Sequence, residues 1–238
     1  MVKSNPVWGV KIKEKRKGKK RPVFLESAAD CLTFLQAAED LSPEHFLVTA
    51  TLLMTGIRKQ ELIALRFKSF DLAFGVLRVS EKYVQATGQV VPGTKTGEDE
   101  GRAIPIPKAL VRIIREAMAK RPTSGPRSFV VAGADGKHRN ARYISRLIED
   151  VCKKAKLHCT VHGLRHTYGR EFALNTGNKK ALQAILGHSS SMTTDLYSDL
   201  AGERIRPFGE SVSFDLEAEK MRKAEAAIDP VGVKGSGA

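Results

Sequence analysis

Apolar positions recur at helical spacing through most of this chain, and polar caps divide the pattern into segments. Ser27 caps a helix predicted from Ala28 to about Ala38, with Asp30 at its third position. Ser42 followed by Pro43 marks a second start, where Glu44 suits the positive end of the helix dipole and Gly56 is a plausible stop. The apolar run from Phe46 to Met54 is too short to span a membrane and fits a core helix. Leu62, Ile63 and Leu65 make the next segment an amphipathic helix.

The period then changes. Phe70 to Leu72, Val76 to Tyr83 and Arg102 to Ile106 are β-rich or alternating around Gly75 and Gly88, which predicts a small antiparallel sheet with Pro105 at an edge. Pro107 opens a helix striped by Leu110, Ile113, Ile114, Ala117 and Met118. Another carries Ile144, Leu147, Ile148, Val151 and Ala155. Helices follow from Leu164 to Asn175, ended by Gly177, and over Ala181 to Leu186 and Met192 to Ser198. In the tail, Phe214, Ala218, Met221, Ala224 and Ile228 fall at helical spacing, so one amphipathic helix is expected from Phe214 to Ile228. The fold class that results is α+β, mainly α: a helical domain with a small antiparallel β-sheet.

Composition adds a partner. The 238 residues suffice for one full core, and 40 Lys and Arg against 26 Asp and Glu leave a formal charge of +14. Such an excess points to a polyanion, nucleic acid before an anionic membrane surface. The excess is densest in residues 1–22, a basic arm without apolar periodicity. Lys11, Lys13, Arg16, Lys17, Lys19, Lys20 and Arg21 are its candidate DNA-phosphate contacts; the alternative is a solvated tail. Cys31, Cys152 and Cys159 do not pair evenly and form no Cys-x-x-Cys, so they are read as reduced, packing thiols of a cytoplasmic protein. No signal peptide is legible.

The chemistry lies in five strings: TGIRKQELIALR at 55–66, TKTG at 94–97, HGLRHTYG at 162–169, LGHSS at 186–190 and TTDLYSDL at 193–200. Arg58 and Arg165 supply planar, permanently charged forks that match phosphate oxygens and can neutralise a pentavalent transition state. A surface ion pair, for instance Arg58 with Glu61, is the plainer alternative. His162 lies three residues before Arg165, so the two share a helix face. The acids Glu98, Asp99 and Glu100, and Glu149 with Asp150, have no histidine at ligand spacing, so no metal site is indicated. The chain has no phosphate-binding Gly-x-x-x-x-Gly-Lys-Ser/Thr string, and no cofactor is expected.

Taken in order, the strings resemble the active site of the tyrosine recombinases, the phage integrase family, over about residues 23–200. The resemblance implies a catalytic set of Arg58, Lys95, His162, Arg165, His188 and Tyr197. Tyr197 would be the nucleophile and His162 the partner for its proton. Lys95 would protonate the leaving 5′-oxygen, with Lys82 and Lys108 as alternatives, and His188 would donate to the phosphate. Tyr168 is the rival nucleophile but reads as helix packing; His166 reads as structural, and His45, His138 and His158 belong to no string.

The implied activity is metal-free, site-specific breaking and rejoining of double-stranded DNA through a 3′-phosphotyrosyl intermediate, by a homo-oligomer, a tetramer, on DNA. Supercoil relaxation of the type IB topoisomerase kind and a non-cleaving DNA-binding module are the alternatives. Residues 1–22 resemble the family's linker, 23–207 its catalytic domain and 208–238 a C-terminal tail. The family's upstream core-binding domain is not in this sequence, as expected of a fragment or of a short protein. The tail helix would dock on a neighbouring subunit, as in the family, or pack on its own domain.

Overall fold

Ser27 and Asp30 start the first helix reciprocally. The Ser27 hydroxyl accepts from the Asp30 N–H at 3.0 Å, and the Asp30 carboxylate accepts from the Ser27 N–H at 3.1 Å. The computed structural model describes residues 23–93, 101–121, 125–187 and 206–228. Helix α1 (Ala28–Leu41) runs further than the sequence pattern suggests, because Ser42 both ends it and caps α2 (Pro43–Thr55). Every residue of α2 from Leu47 to Thr55 is buried. It is the central helix, packed by α1, by α4 (Lys108–Ala119), by α5 (Ala141–Ala155) and by α6 (Val161–Thr176). Its buried hydroxyls Thr51 and Thr55 donate to the carbonyls of Leu47 and Thr51 one turn back, which keeps them satisfied.

Gly56 ends α2 with φ 62°, and a Cβ there would sit 2.7 Å from the Tyr168 ring. The left-handed conformation alone costs an L-residue about 1–2 kcal/mol, and the overlap adds to it. Gly56→Ala is therefore expected to lower the melting temperature by at least ~3 °C, read by thermal unfolding. An unchanged midpoint would mean that neither the left-handed turn nor the contact with Tyr168 constrains this position.

A short helix, α3 (Lys59–Ala64), follows, and then the strands. β1 (Phe70–Asp71), β2 (Val76–Val79) and β5 (Arg102–Pro105) form an antiparallel sheet in the order β1-β2-β5, while β3 (Glu81–Val84) pairs only with β4 (Gln89–Pro92). The run from Val76 to Tyr83, expected as one strand, is thus two. At Ser80 the carbonyl accepts from the Gly93 N–H at 2.8 Å, and pairing passes from β5 to β4. Strand β4 itself was not legible in the pattern. Pro105 lies on the edge strand, opposite Val76.

Helix α6 starts before the expected Leu164, because the Thr160 hydroxyl accepts from the Gly163 N–H at 2.9 Å and caps the chain there. Helix α7 (Lys179–Leu186) follows after Gly177. The helix expected from Met192 to Ser198 lies outside the described residues, as does the basic arm.

Helix α8 (Leu216–Ile228) begins after Phe214 rather than at it. Val212, Phe214 and Leu216 are buried in the common core, whereas Ala218, Met221 and Ala224 are exposed. Of the expected stripe, Phe214 packs into this domain, whereas Ala218, Met221 and Ala224 do not face it. Asp215 caps the helix by accepting from Ala218 N–H, and Lys220 ties it to Glu39 of α1.

Candidate active site

Three chain segments meet where α2 ends, α6 begins and α7 ends. Ile57, 1% exposed, anchors the joint between α2 and α3, and Arg58 takes the cap position of α3 with extended backbone. Glu61, at the third position of that short helix, reaches back to accept from the Arg58 N–H at 2.7 Å. Its other oxygen accepts from Arg58 Nη1 at 3.0 Å. The surface pairing considered for Arg58 and Glu61 is thus made, but inside: Glu61 is 4% exposed.

A second arginine, Arg102 at the start of β5, closes on the same carboxylate. Its Nη1 and Nη2 donate to the two Glu61 oxygens at 2.8 and 2.7 Å. Burial by itself would raise the Glu61 carboxyl, but the Arg102 fork and then the Arg58 contacts hold it well below the usual range, at about 2. Glu61 is therefore an anion at neutral pH and a fixed support for two cations.

Arg165 is 6% exposed, one turn along α6 from His162. Its Nη1 donates to the Gly56 carbonyl at 2.7 Å and its Nη2 to the Leu186 carbonyl. Burial, then the charges of Arg58 and Arg102, push its guanidinium down to about 10, so it stays charged at neutral pH. The last carbonyls of α7 lack intrahelical partners and carry the negative end of the helix dipole. Each of three successive ones receives a different guanidinium: Ile185 from Arg102 at 2.8 Å, Leu186 from Arg165, and Gly187 from Arg58 at 2.9 Å. Three cations against one carboxylate leave a local surplus of two positive charges, an environment suited to an anion.

Arg58, Lys59, Ser145, Thr160, His162 and Arg165 line an open cavity of about 420 Å³ beside this network. His162 projects from the first turn of α6, its ring edge-on to His166 at 4.6 Å. Partial burial first, then His166, Arg165 and Arg58, lower its pKa below the ordinary value of 6.5. It is accordingly mostly neutral at pH 7 and able to accept a proton. Lys59 Nζ donates to the Ser145 hydroxyl at 3.2 Å on the cavity wall.

Of the six expected site residues, the structure brings Arg58, His162 and Arg165 together. Lys95, His188 and Tyr197 lie outside the described residues. Lys82 and Lys108, the alternatives to Lys95, are not among the residues that line the cavity. Tyr168 is 2% exposed, with its ring against Gly56, a packing position. Sequence reasoning considered Glu61 only as a surface ion-pair partner of Arg58, and it missed Arg102. The supporting role of Glu61 had a local signal, because an acid at the third position of a helix whose cap is Arg58 is a recognisable backward reach. Arg102 carried no such signal, since its partners are far off in sequence. Among the described residues, no group of three or more His, Cys, Asp or Glu could hold a metal ion, and no helix is long and apolar enough to cross a membrane.

Residues 27–204 match the phage integrase family. The tyrosine recombinase XerA of Pyrococcus furiosus is 27% identical over 161 residues, 67% of this chain and 51% of the relative. XerA of Thermococcus kodakarensis is 29% identical over 161 residues, 67% of this chain and 52% of its own length. Among solved structures, the Tn1549 transposon integrase in complex with transposon right end DNA superposes with a TM-score of 0.60 at 25% identity, covering 87% of this chain and 67% of that one. This chain spans about half the length of these two XerA relatives. With the family matched across most of its length, over the segments that bring Arg58, His162 and Arg165 to one cavity, the chain belongs to the phage integrase family.

Proposed function

We propose that this chain is the catalytic part of a site-specific DNA recombinase that cuts and rejoins strands through a tyrosine. The observation that carries the reading is the convergence of Arg58 and Arg165 on one cavity with a neutral His162 beside them. Two guanidinium forks at a cavity wall suit a phosphodiester, and an imidazole with lowered pKa suits proton transfer at neutral pH. The DNA complex of the Tn1549 integrase supports DNA as the substrate.

In this mechanism the Tyr197 hydroxyl attacks the scissile phosphorus and passes its proton to His162. Arg58 and Arg165 balance the charge that builds on the phosphoryl oxygens, and His188 donates to one of them. The bond from phosphorus to the 5′-oxygen breaks, and Lys95 supplies the proton to the leaving oxygen. The phosphotyrosine keeps the energy of the broken ester. A partner strand's 5′-hydroxyl then attacks it, returns the tyrosine and completes exchange. No nucleotide or metal enters the balance.

The chain works as a homo-oligomer, a tetramer, on double-stranded DNA in a reducing, cytoplasmic compartment. Residues 1–22 serve as the arm, 23–207 as the catalytic domain and 208–238 as the tail. The exposed Ala218, Met221 and Ala224 of α8 are free to meet a neighbouring subunit. The test is covalent trapping on a library of nicked duplexes, in which a protein–DNA adduct should accumulate at a defined sequence. Supercoil relaxation without strand exchange between duplexes would instead indicate topoisomerase action.

The arm has its own test. Deleting residues 11–21 should weaken binding to specific and random duplexes alike. Lys and Arg side chains that contact only phosphates release counterions without reading base edges. The log–log dependence of affinity on salt should flatten by about one unit for each phosphate that the shortened chain no longer neutralises. An unchanged salt slope would make the arm a solvated tail.

A further inference from the structure

We infer that Arg102 is a positioning residue of the recombination site, the tie that sets Arg58, through Glu61, against the end of α7; the inference rests on the proposed cleavage chemistry. All three of its side-chain nitrogens are committed. Nε donates to the Ile185 carbonyl at 2.8 Å, and Nη1 and Nη2 take the two Glu61 oxygens at 2.8 and 2.7 Å. The side chain is 11% exposed, so this network is shielded from competing water. Glu61 and Gly187 are in turn the two partners that hold the Arg58 head, at 3.0 and 2.9 Å. Arg58 itself is a third exposed, and its aim depends on partners that Arg102 keeps in place.

The packing points the same way. Gly187 turns left-handed at φ 63°, and a Cβ there would lie 3.2 Å from Arg102 Cδ and 3.4 Å from its Nε. The turn that leads on to His188 therefore lies directly against the Arg102 side chain. On its other side, Arg102 opens β5 just after the 94–100 segment that holds Lys95. One guanidinium thus joins the start of β5, the support of Arg58 and the turn at Gly187. Lysine cannot replace it, because one ammonium cannot span both oxygens of Glu61 and the Ile185 carbonyl in one plane.

The experiment compares the wild type with Arg102→Lys in three measurements on the full chain. They are single-turnover cleavage of a nicked duplex, affinity for that duplex, and side-chain NMR of Arg58, whose guanidinium rotation is restrained by its two partners. Arg102→Lys should cut ~10- to ~100-fold more slowly, the scale of losing orientation rather than a reacting group. Duplex affinity should stay near the wild-type value, and Arg58 rotation should become fast. If Arg102→Lys melts early, Arg102→Gln takes its place with the same readouts, since it keeps an amide donor for the Ile185 carbonyl. A wild-type cleavage rate, or an Arg58 head still restrained in the folded variant, overturns the inference. If the wild type forms no adduct on any duplex, the recombinase reading falls, and the NMR measurement alone decides whether Arg102 positions Arg58.

Discussion

Tyr197→Phe is expected to abolish covalent adduct formation and to leave DNA affinity nearly unchanged. The substitution removes one hydroxyl, and in the proposed mechanism that oxygen is the atom that bonds to phosphorus. A phenol has a pKa of about 10, so at neutral pH it must lose its proton as the bond forms. The neutral His162 on the cavity wall suits that transfer, because burial and the neighbouring charges of His166, Arg165 and Arg58 keep the ring unprotonated. Affinity should persist because phosphate contacts by Lys and Arg dominate binding and none of them is touched. The measurement is adduct yield on a nicked duplex, resolved under denaturing conditions, beside an affinity titration of the same duplex. Wild-type yield from the Phe variant would place the nucleophile elsewhere. Tyr168 is a poor substitute, since at 2% exposure it could meet a phosphate only by unpacking α6 from α2.

Arg165→Ala should slow cleavage by at least ~100-fold, the scale of losing one transition-state donor. The same change strands two acceptors, the Gly56 and Leu186 carbonyls, beneath the site. Leaving buried carbonyls unpaired costs about 1–3 kcal/mol each, so the variant should also melt earlier. Arg165→Lys separates the two effects. It keeps a charge and one or two donors, so it should recover part of the stability but little of the rate, because it lacks the planar fork. Arg58→Ala should show the kinetic loss with a smaller stability loss, since Arg58 is partly exposed while Arg165 is not. Cleavage by folded Arg165→Ala at the wild-type rate would remove Arg165 from the phosphate site.

The helices were legible because their signals are local. Ser27 with Asp30, Ser42 with Pro43, and Gly56 and Gly177 each fix a boundary through interactions within a few residues. The apolar run of α2 announced a core helix in the same way. Strand pairing was less legible, because Val76 to Tyr83 gives no local sign that its partner changes at Ser80. The burial of α8 likewise depended on what stood opposite it. Phase alone pointed to Met221, but the neighbouring α1 offers Glu39 and α8 meets it through Lys220.

The sequence by itself determined the residue types of the site and their order along the chain. Guanidinium and imidazole chemistry is a property of side chains, and Arg58, His162 and Arg165 carry it wherever they fall. Only the tertiary structure decided what supports them. Glu61 and Arg102 are 41 residues apart, and Arg58 and Gly187 are 129 apart. No periodicity or spacing encodes such a pairing, because it exists only once α3, β5 and the end of α7 pack together. The charge states followed from the same closure: the Arg102 and Arg58 guanidinium groups overcome the burial of Glu61 and keep it ionised, and burial first, then the neighbouring His166, Arg165 and Arg58, hold the His162 pKa down.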